Sequence, residues 1–186
     1  MKKVAVFFAN GFEEIEALTV VDILRRVGIH VDMVGVKHQQ VTGAHSIVVS
    51  MDRLLKANMF DYDMLILPGG MPGATHLKEN ETVVKLVHDY VQTNRYVAAI
   101  CAAPIVLGKA QVLKEKAFTA YPGFEEEILA SNVGSTYTNE LVTQSGCVIT
   151  AKGAGAAFEF AYRIAEVLGV DTQDLRESMM YQQLID

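Results

Sequence analysis

Cysteine is scarce in this chain: only Cys101 and Cys147 occur in 186 residues. Two are too few for a disulfide framework, and a 51% hydrophobic content fills a core without staples or structural metals. Long apolar runs are missing too, and nothing approaches the ~20 residues that a membrane span requires. Lys2 and Lys3 precede a short apolar run, but it ends at Asn10-Gly11 and is followed by Glu13 and Glu14. That run is shorter than a signal-peptide h-region and lacks a small-residue cleavage site. Nor is there a long run of one charge sign. The net charge is −6, whereas nucleic acid binding needs a concentrated basic face. These absences exclude nucleic acid and membrane as main partners and lead to an expected cytoplasmic location. With no linker, low-complexity tract or internal repeat, residues 1–186 are expected to form one domain.

What the sequence does contain is an alternation of short apolar runs with helical patterns, the signature of a parallel sheet covered on both faces. Residues 3–9, 31–36, 64–67 and 96–100 read as buried strands. Residues 15–27, 81–93 and 103–110 read as helices, and Gly28 stops the first of them. Residues 41–50 read as a hairpin excursion with Gly43 at its turn. Farther on, the spacing predicts a strand at 117–120 and a short helix at 124–130. A hairpin follows at 141–151, then helices over 154–168 and 172–181.

In open α/β sheets, ligands bind beyond the carboxyl ends of the strands. Three strand ends here carry unusual residues: Asn10 through Glu16, Pro68-Gly69-Gly70, and Cys101-Ala102-Ala103-Pro104. In a parallel sheet all three lie on one edge. Cys101 directly follows a strand and precedes a helix whose first turn accommodates Pro104. Its small neighbours suit a tight strand–nucleophile–helix turn. Unpaired N–H groups and the helix dipole at such a turn are expected to lower the thiol pKa; the alternative is an inert buried cysteine. Backbone amides at Gly70 and Ala102 are placed to stabilise an oxyanion or a sulfinate. Glu16 is flanked by Ile15, Ala17 and Leu18, so its carboxyl is a candidate for partial burial, a raised pKa and a hydrogen bond to the sulfur. Glu13 and Glu14 read as a solvated helix start.

Other features carry less. His30, His38, His45, His76 and His88 all precede Cys101, which rules out a downstream Cys–His pair, and none has metal-ligand spacing. His45 is a candidate to reach a partner subunit. Cys147, beside Gly146 in a hairpin, reads as structural or exposed. Gly153-Ala154-Gly155 only partly imitates a dinucleotide fingerprint, because Phe158 stands where the third glycine belongs.

Four blocks together resemble the ThiJ/PfpI superfamily, within it the parkinsonism-associated deglycase branch. They are Gly11-Phe12-Glu13-Glu14-Ile15-Glu16, Leu65-Ile66-Leu67-Pro68-Gly69-Gly70, Ala98-Ala99-Ile100-Cys101-Ala102-Ala103-Pro104, and Gly153-Ala154-Gly155 with Phe158-Glu159-Phe160. The resemblance implies a flavodoxin-like three-layer α/β sandwich with a mostly parallel central sheet and a nucleophile elbow, a homodimer, and no cofactor or metal. It implies that Cys101 is an oxidisable nucleophile, that Glu16 is a protonated acid held against it, and that Gly70 and Ala102 supply amides. Gly69, Tyr121 and Asn10 are candidate pocket residues. Ala102 replaces the histidine that the protease-like branch carries after its cysteine, so a peptidase is not expected. Tyr121 stands where some deglycase-branch members carry a histidine, and an ordinary phenol, with a pKa near ~10, is no ready base at neutral pH.

Two functions follow from one site. In the first, the Cys101 thiolate attacks small reactive aldehydes or glycated proteins, as in a glutathione-independent glyoxalase or deglycase, with Glu16 as general acid/base. In the second, Cys101 of a redox sensor or stress-holding chaperone oxidises to a sulfinate that Glu16 stabilises. An interaction module built on Met179-Met180-Tyr181 is a minor third reading, since such residues more often pack in a core or dimer.

Overall fold

A computed structural model describes residues 1–185. The strands are β1 (Lys3–Phe8), β2 (His30–Gly35), β3 (Gln40–Thr42), β4 (Val48–Ser50), β5 (Arg53–Leu54), β6 (Met64–Leu67), β7 (Tyr96–Ile100), β8 (Ala117–Phe118), β9 (Thr136–Tyr137), β10 (Val142–Ser145) and β11 (Val148–Ala151). The helices are α1 (Glu14–Arg26), α2 (Gly73–Glu79), α3 (Glu81–Gln92), α4 (Pro104–Lys109), α5 (Glu125–Ser131), α6 (Ala157–Val167), α7 (Gln173–Ser178) and α8 (Gln182–Ile185).

Seven strands form the central sheet in the order β10-β11-β7-β6-β1-β2-β5, parallel throughout except for the β10–β11 edge hairpin. The apolar run of β1 lacks alternation because both of its faces are buried. Val4, Val6 and Phe8 pack into the core covered by α1 and α6, while Ala5, Phe7 and Ala9 enter the opposite core beneath α2, α3 and α4. The expected three layers are therefore present. Among the described residues, no helix is long and apolar enough to cross a membrane.

The strand order positions the site. β1 leads through α1 to β2 on one side, and the chain later returns to β6 on the other, so strand order reverses between β1 and β6. β7 lies next to β6, with Leu67 opposite Ala99. The carboxyl ends of β1, β6 and β7 are thus neighbours on one edge, as the sequence predicts.

The departures have local causes. α2, which is not among the expected elements, follows directly on Pro72. The expected helix over 172–181 stops at Ser178, because Met180 adopts a left-handed φ of 57° and breaks it before α8. The 154–168 helix begins with a 3₁₀ turn at Ala154–Ala156. The two-residue strands β5 and β9 exist only through their partners β2 and β8, so no run of their own announces them.

Candidate functional site

Cys101 leaves β7 with φ 63°, a left-handed conformation that is strained for a residue bearing a side chain. Its N–H donates to the Ala151 carbonyl and its carbonyl accepts from the Tyr121 N–H, both at 2.9 Å. The turn closes through the Ala103 N–H to the Ile100 carbonyl, and Pro104 opens α4. Ala102 and Ala103 are 1% and 0% exposed, leaving no room for larger side chains. The elbow expected from the small neighbours is therefore present, with its thiol half-buried.

Glu16 reaches the sulfur from α1. It is 1% exposed, its Oε2 accepts the Gly69 N–H at 2.9 Å, and its carboxyl is hydrogen-bonded with the Cys101 thiol. Burial pushes this carboxyl up to about 7, against the pull of those two hydrogen bonds. Gly69 admits the arrangement by being glycine: a Cβ there would lie 2.6 Å from Glu16 Oε2 and 2.7 Å from Cys101 Cβ. Gly70, at φ 86°, turns the chain so closely past Glu13 that a side chain would run into the Glu13 nitrogen. The backbones of Gly70 and Ala102 both hydrogen-bond the thiol.

One expectation is overturned. The turn at the start of α4 does not lower the thiol pKa: burial first, then the charge and hydrogen bond of Glu16, push Cys101 up to about 12, outweighing the Ala102 and Gly70 amides. The helix argument counts only local N–H groups; the opposing carboxylate comes from α1, far away in sequence. Thiol and carboxyl titrate as a pair. Protonating Glu16 removes the opposing charge and turns its carboxyl into a donor, which favours the thiolate.

Glu14 departs from the reading as solvated helix start as well. It is 6% exposed and accepts the His45 N–H and the His45 ring, both at 2.8 Å, with the Ile47 N–H at 3.5 Å. Burial would raise this carboxyl, but those hydrogen bonds together hold it below its ordinary value. The exposed His45 ring is raised above 6.5 by its bond to Glu14 and by the charges of Glu13 and Glu14. Ligand atoms of Glu13, Glu14 and His45 lie within 4.8 Å of one another, yet the oxygens of Glu14 are already taken by these donors. The cluster is a clamp tying the β3–β4 hairpin to α1. Gly43 is its only trace in the sequence, because a Cβ there would collide with the Glu14 carboxylate.

The remaining candidates lie at the margin. Tyr121 meets the elbow through its backbone; its ring is half-exposed, sits against Gly153 and stands edge-on to Phe124 at 6.4 Å. Asn10 faces away from the thiol: its side chain accepts the Thr42 N–H at 3.0 Å and its carbonyl bonds His76 Nδ1 at 2.9 Å. Cys147 is buried.

Comparison with known proteins matches residues 2–167 to the model of the DJ-1/PfpI family. Protein dj-1beta of Drosophila melanogaster is 35% identical over 169 residues, covering 90% of this chain and 89% of that protein. Its crystal structure superposes with a TM-score of 0.89 at 33% identity, covering 96% and 97% of the two chains. A Caenorhabditis elegans protein named glutathione-independent glyoxalase DJR-1.2 is 34% identical over 157 residues, covering 84% of this chain and 82% of that protein.

The buried carboxyl sets a pH dependence. An unperturbed glutamate titrates at 4.5 and the folded Glu16 at about 7, so between these values the native state holds a proton that the unfolded chain has lost. Stability therefore falls as pH rises through that window, by on the order of 3 kcal/mol in total. Urea midpoints at about pH 5 and about pH 8 should differ less in Glu16→Gln than in the parent; an equal difference in both would show that Glu16 does not carry the effect.

Proposed function

The chain belongs to the DJ-1/PfpI family, and on that premise we propose that it converts small 2-oxoaldehydes such as methylglyoxal to 2-hydroxy acids without glutathione, Cys101 acting as nucleophile and Glu16 as general acid/base. The observation that carries this reading is the Glu16 carboxyl, buried against the thiol and brought to about 7, where it exchanges protons at neutral pH. The glyoxalase name of the C. elegans relative supports it.

In the proposed sequence the sulfur attacks the aldehyde carbon, and the thiol proton passes through Glu16 to the new oxyanion, giving a hemithioacetal. The Gly70 and Ala102 amides stabilise that oxyanion as it forms. Ionised Glu16 then takes the proton from C1 and delivers it to C2, while the hydroxyl proton on the C1 oxygen passes to the C2 oxygen. C1 is thereby oxidised to the thioester level while the C2 ketone is reduced to an alcohol, with no external electron acceptor. Water cleaves the thioester, releasing the 2-hydroxy acid and restoring the thiol.

The same geometry favours a second reading, oxidation of Cys101 to a sulfinate in a stress response. Two backbone groups and a protonatable carboxyl already hydrogen-bond the sulfur, and a sulfinate would accept all three. The proposal also includes a homodimer. Ile15, Ile47 and Val48 are each at least half exposed and flank the Glu14–His45 clamp, an apolar patch suited to a second copy.

Three measurements test these assignments. With methylglyoxal and no glutathione, the parent should form lactate, while Cys101→Ser and Glu16→Gln should lose at least about 10²-fold in rate. Retained turnover in Glu16→Gln would remove Glu16 from the mechanism, and a parent that forms no lactate would overturn the aldehyde reading. Dilute peroxide followed by intact-mass analysis should give one two-oxygen adduct, located on Cys101 and diminished in Glu16→Gln; random oxidation of methionines instead would refute the redox reading. Sedimentation should give a dimer for the parent and a monomer for Val48→Asp, and a monomeric parent contradicts the dimer.

A further inference from the structure

A second cavity opens on the same sheet edge, on the far side of the Asn10–Gly11 loop from the thiol. It has a volume of about 220 Å³ and lies at the carboxyl ends of β1 and β2. β1 stands two strand spacings, about 10 Å, from the β7 that carries Cys101. Its floor is apolar, formed by Phe8, Ala9, Val36 and Val41, all buried. Its rim carries Lys37, His38 and His76. No lining residue is acidic, although acidic residues outnumber Lys and Arg by 22 to 16 in the chain.

Two details narrow the occupant. Phosphate sites commonly use free backbone N–H groups at glycine loops or helix starts. Here the loop's glycine offers none: the Gly11 N–H donates to the Thr42 carbonyl at 2.8 Å, and Asn10 Oδ1 is occupied by the Thr42 N–H at 3.0 Å. Side chains then supply the positive charge, and one ammonium with the His38 imidazole suits a single negative charge better than a dianion, since His76 Nδ1 is already bonded to the Asn10 carbonyl at 2.9 Å. The size is the second detail. Pockets for drug-sized ligands run to about 300–1,000 Å³, so this one suits a molecule of a few carbons.

We propose that this cavity is a second ligand site for a small monocarboxylate, its carboxylate held by Lys37 with His38 and its short apolar body resting on Phe8, Val36 and Val41. The site does not depend on the aldehyde chemistry, and its ligand need not be a product of Cys101. The cavity lies on the carboxyl-end edge where open α/β sheets bind ligands, one crevice away from the reversal of strand order between β1 and β6. His38 becomes a ligand donor, while His76, from a separate segment and held by its Nδ1 on the Asn10 carbonyl at 2.9 Å, walls the cavity.

The test is a titration of ¹⁵N-labelled protein with butyrate, followed by amide shifts. Saturable shifts are expected at Asn10, His38, Val41 and His76, and they should persist after Cys101 has been capped with iodoacetamide. Lys37→Glu, an exposed position whose exchange leaves the core untouched, should weaken butyrate at least tenfold. n-Butanol, with the same body and no charge, should bind at least tenfold more weakly than butyrate. The proposal is overturned if those amides show no saturable shift, if the shifts centre on Gly70 and Ala102 and vanish on capping, or if Lys37→Glu binds as the parent does. Inorganic phosphate binding as well as butyrate would overturn the choice of a monocarboxylate.

Discussion

The contact on which the site depends is the approach of Glu16 and Cys101 across Gly69. A carboxyl at 1% exposure is expensive to bury unless each of its oxygens finds a partner. Here the thiol and the Gly69 amide supply them. Both partners are available because the β6 backbone passes between α1 and the elbow with no side chain in the way. The parallel pairing of β1, β6 and β7 brings the three segments to one edge. Pro68-Gly69-Gly70 is therefore a packing requirement at least as much as a turn. The fold fixes both the burial and the separation of acid and nucleophile, and the two together set the direction in which each pKa moves.

Adjacent carboxylates at the start of α1 show how strongly helix geometry sorts identical side chains. Successive residues turn by about 100°, so Glu14 and Glu16 point about 200° apart. One faces the β3–β4 hairpin and is held ionised by N–H donors; the other faces the sulfur and is pushed toward its neutral form. Glu13, at the N-cap, accepts the Ile15 N–H. Three glutamates within four positions thus serve as cap, clamp and the acid held against the thiol. Depth of burial and hydrogen bonding together separate the last two: Glu16 lies deeper than Glu14, and it meets one N–H where Glu14 meets several.

This sorting marks the limit of what the sequence discloses. The sheet was legible because strands buried on both faces must be apolar throughout, and residues 64–67 and 96–100 coincide with β6 and β7. Cys101 was legible because an elbow needs small neighbours and tolerates Pro104 after it. Glu16 stood out by its apolar flanks. The direction of the thiol's shift was not legible, since it depends on burial and on a charge from a distant segment. Nor was the Glu14–His45 clamp, whose partners are 31 positions apart and share no pattern. Asn10 sat in the right block, but its side chain turns to Thr42, where the hairpin offers an N–H.

The Asn10–Glu13 loop is a wall common to the thiol site and the second cavity, and its hydrogen bonds decide how strongly the two communicate. The Phe12 N–H closes a turn onto the Ala9 carbonyl at 3.0 Å, the Gly11 carbonyl accepts the Gly73 N–H at 3.2 Å, and the Glu13 N–H binds the Gly69 carbonyl at 3.0 Å. With the Thr42 and His76 contacts, nearly every residue of the loop is tied to a different element. A ligand shifts a distant equilibrium only where two arrangements of the intervening segment have comparable energy. A loop tied to β6, α2 and the β3–β4 hairpin at once has a single arrangement of low energy. Filling the second cavity therefore leaves the Glu16–Cys101 geometry in place, and the two sites share a wall without sharing a state.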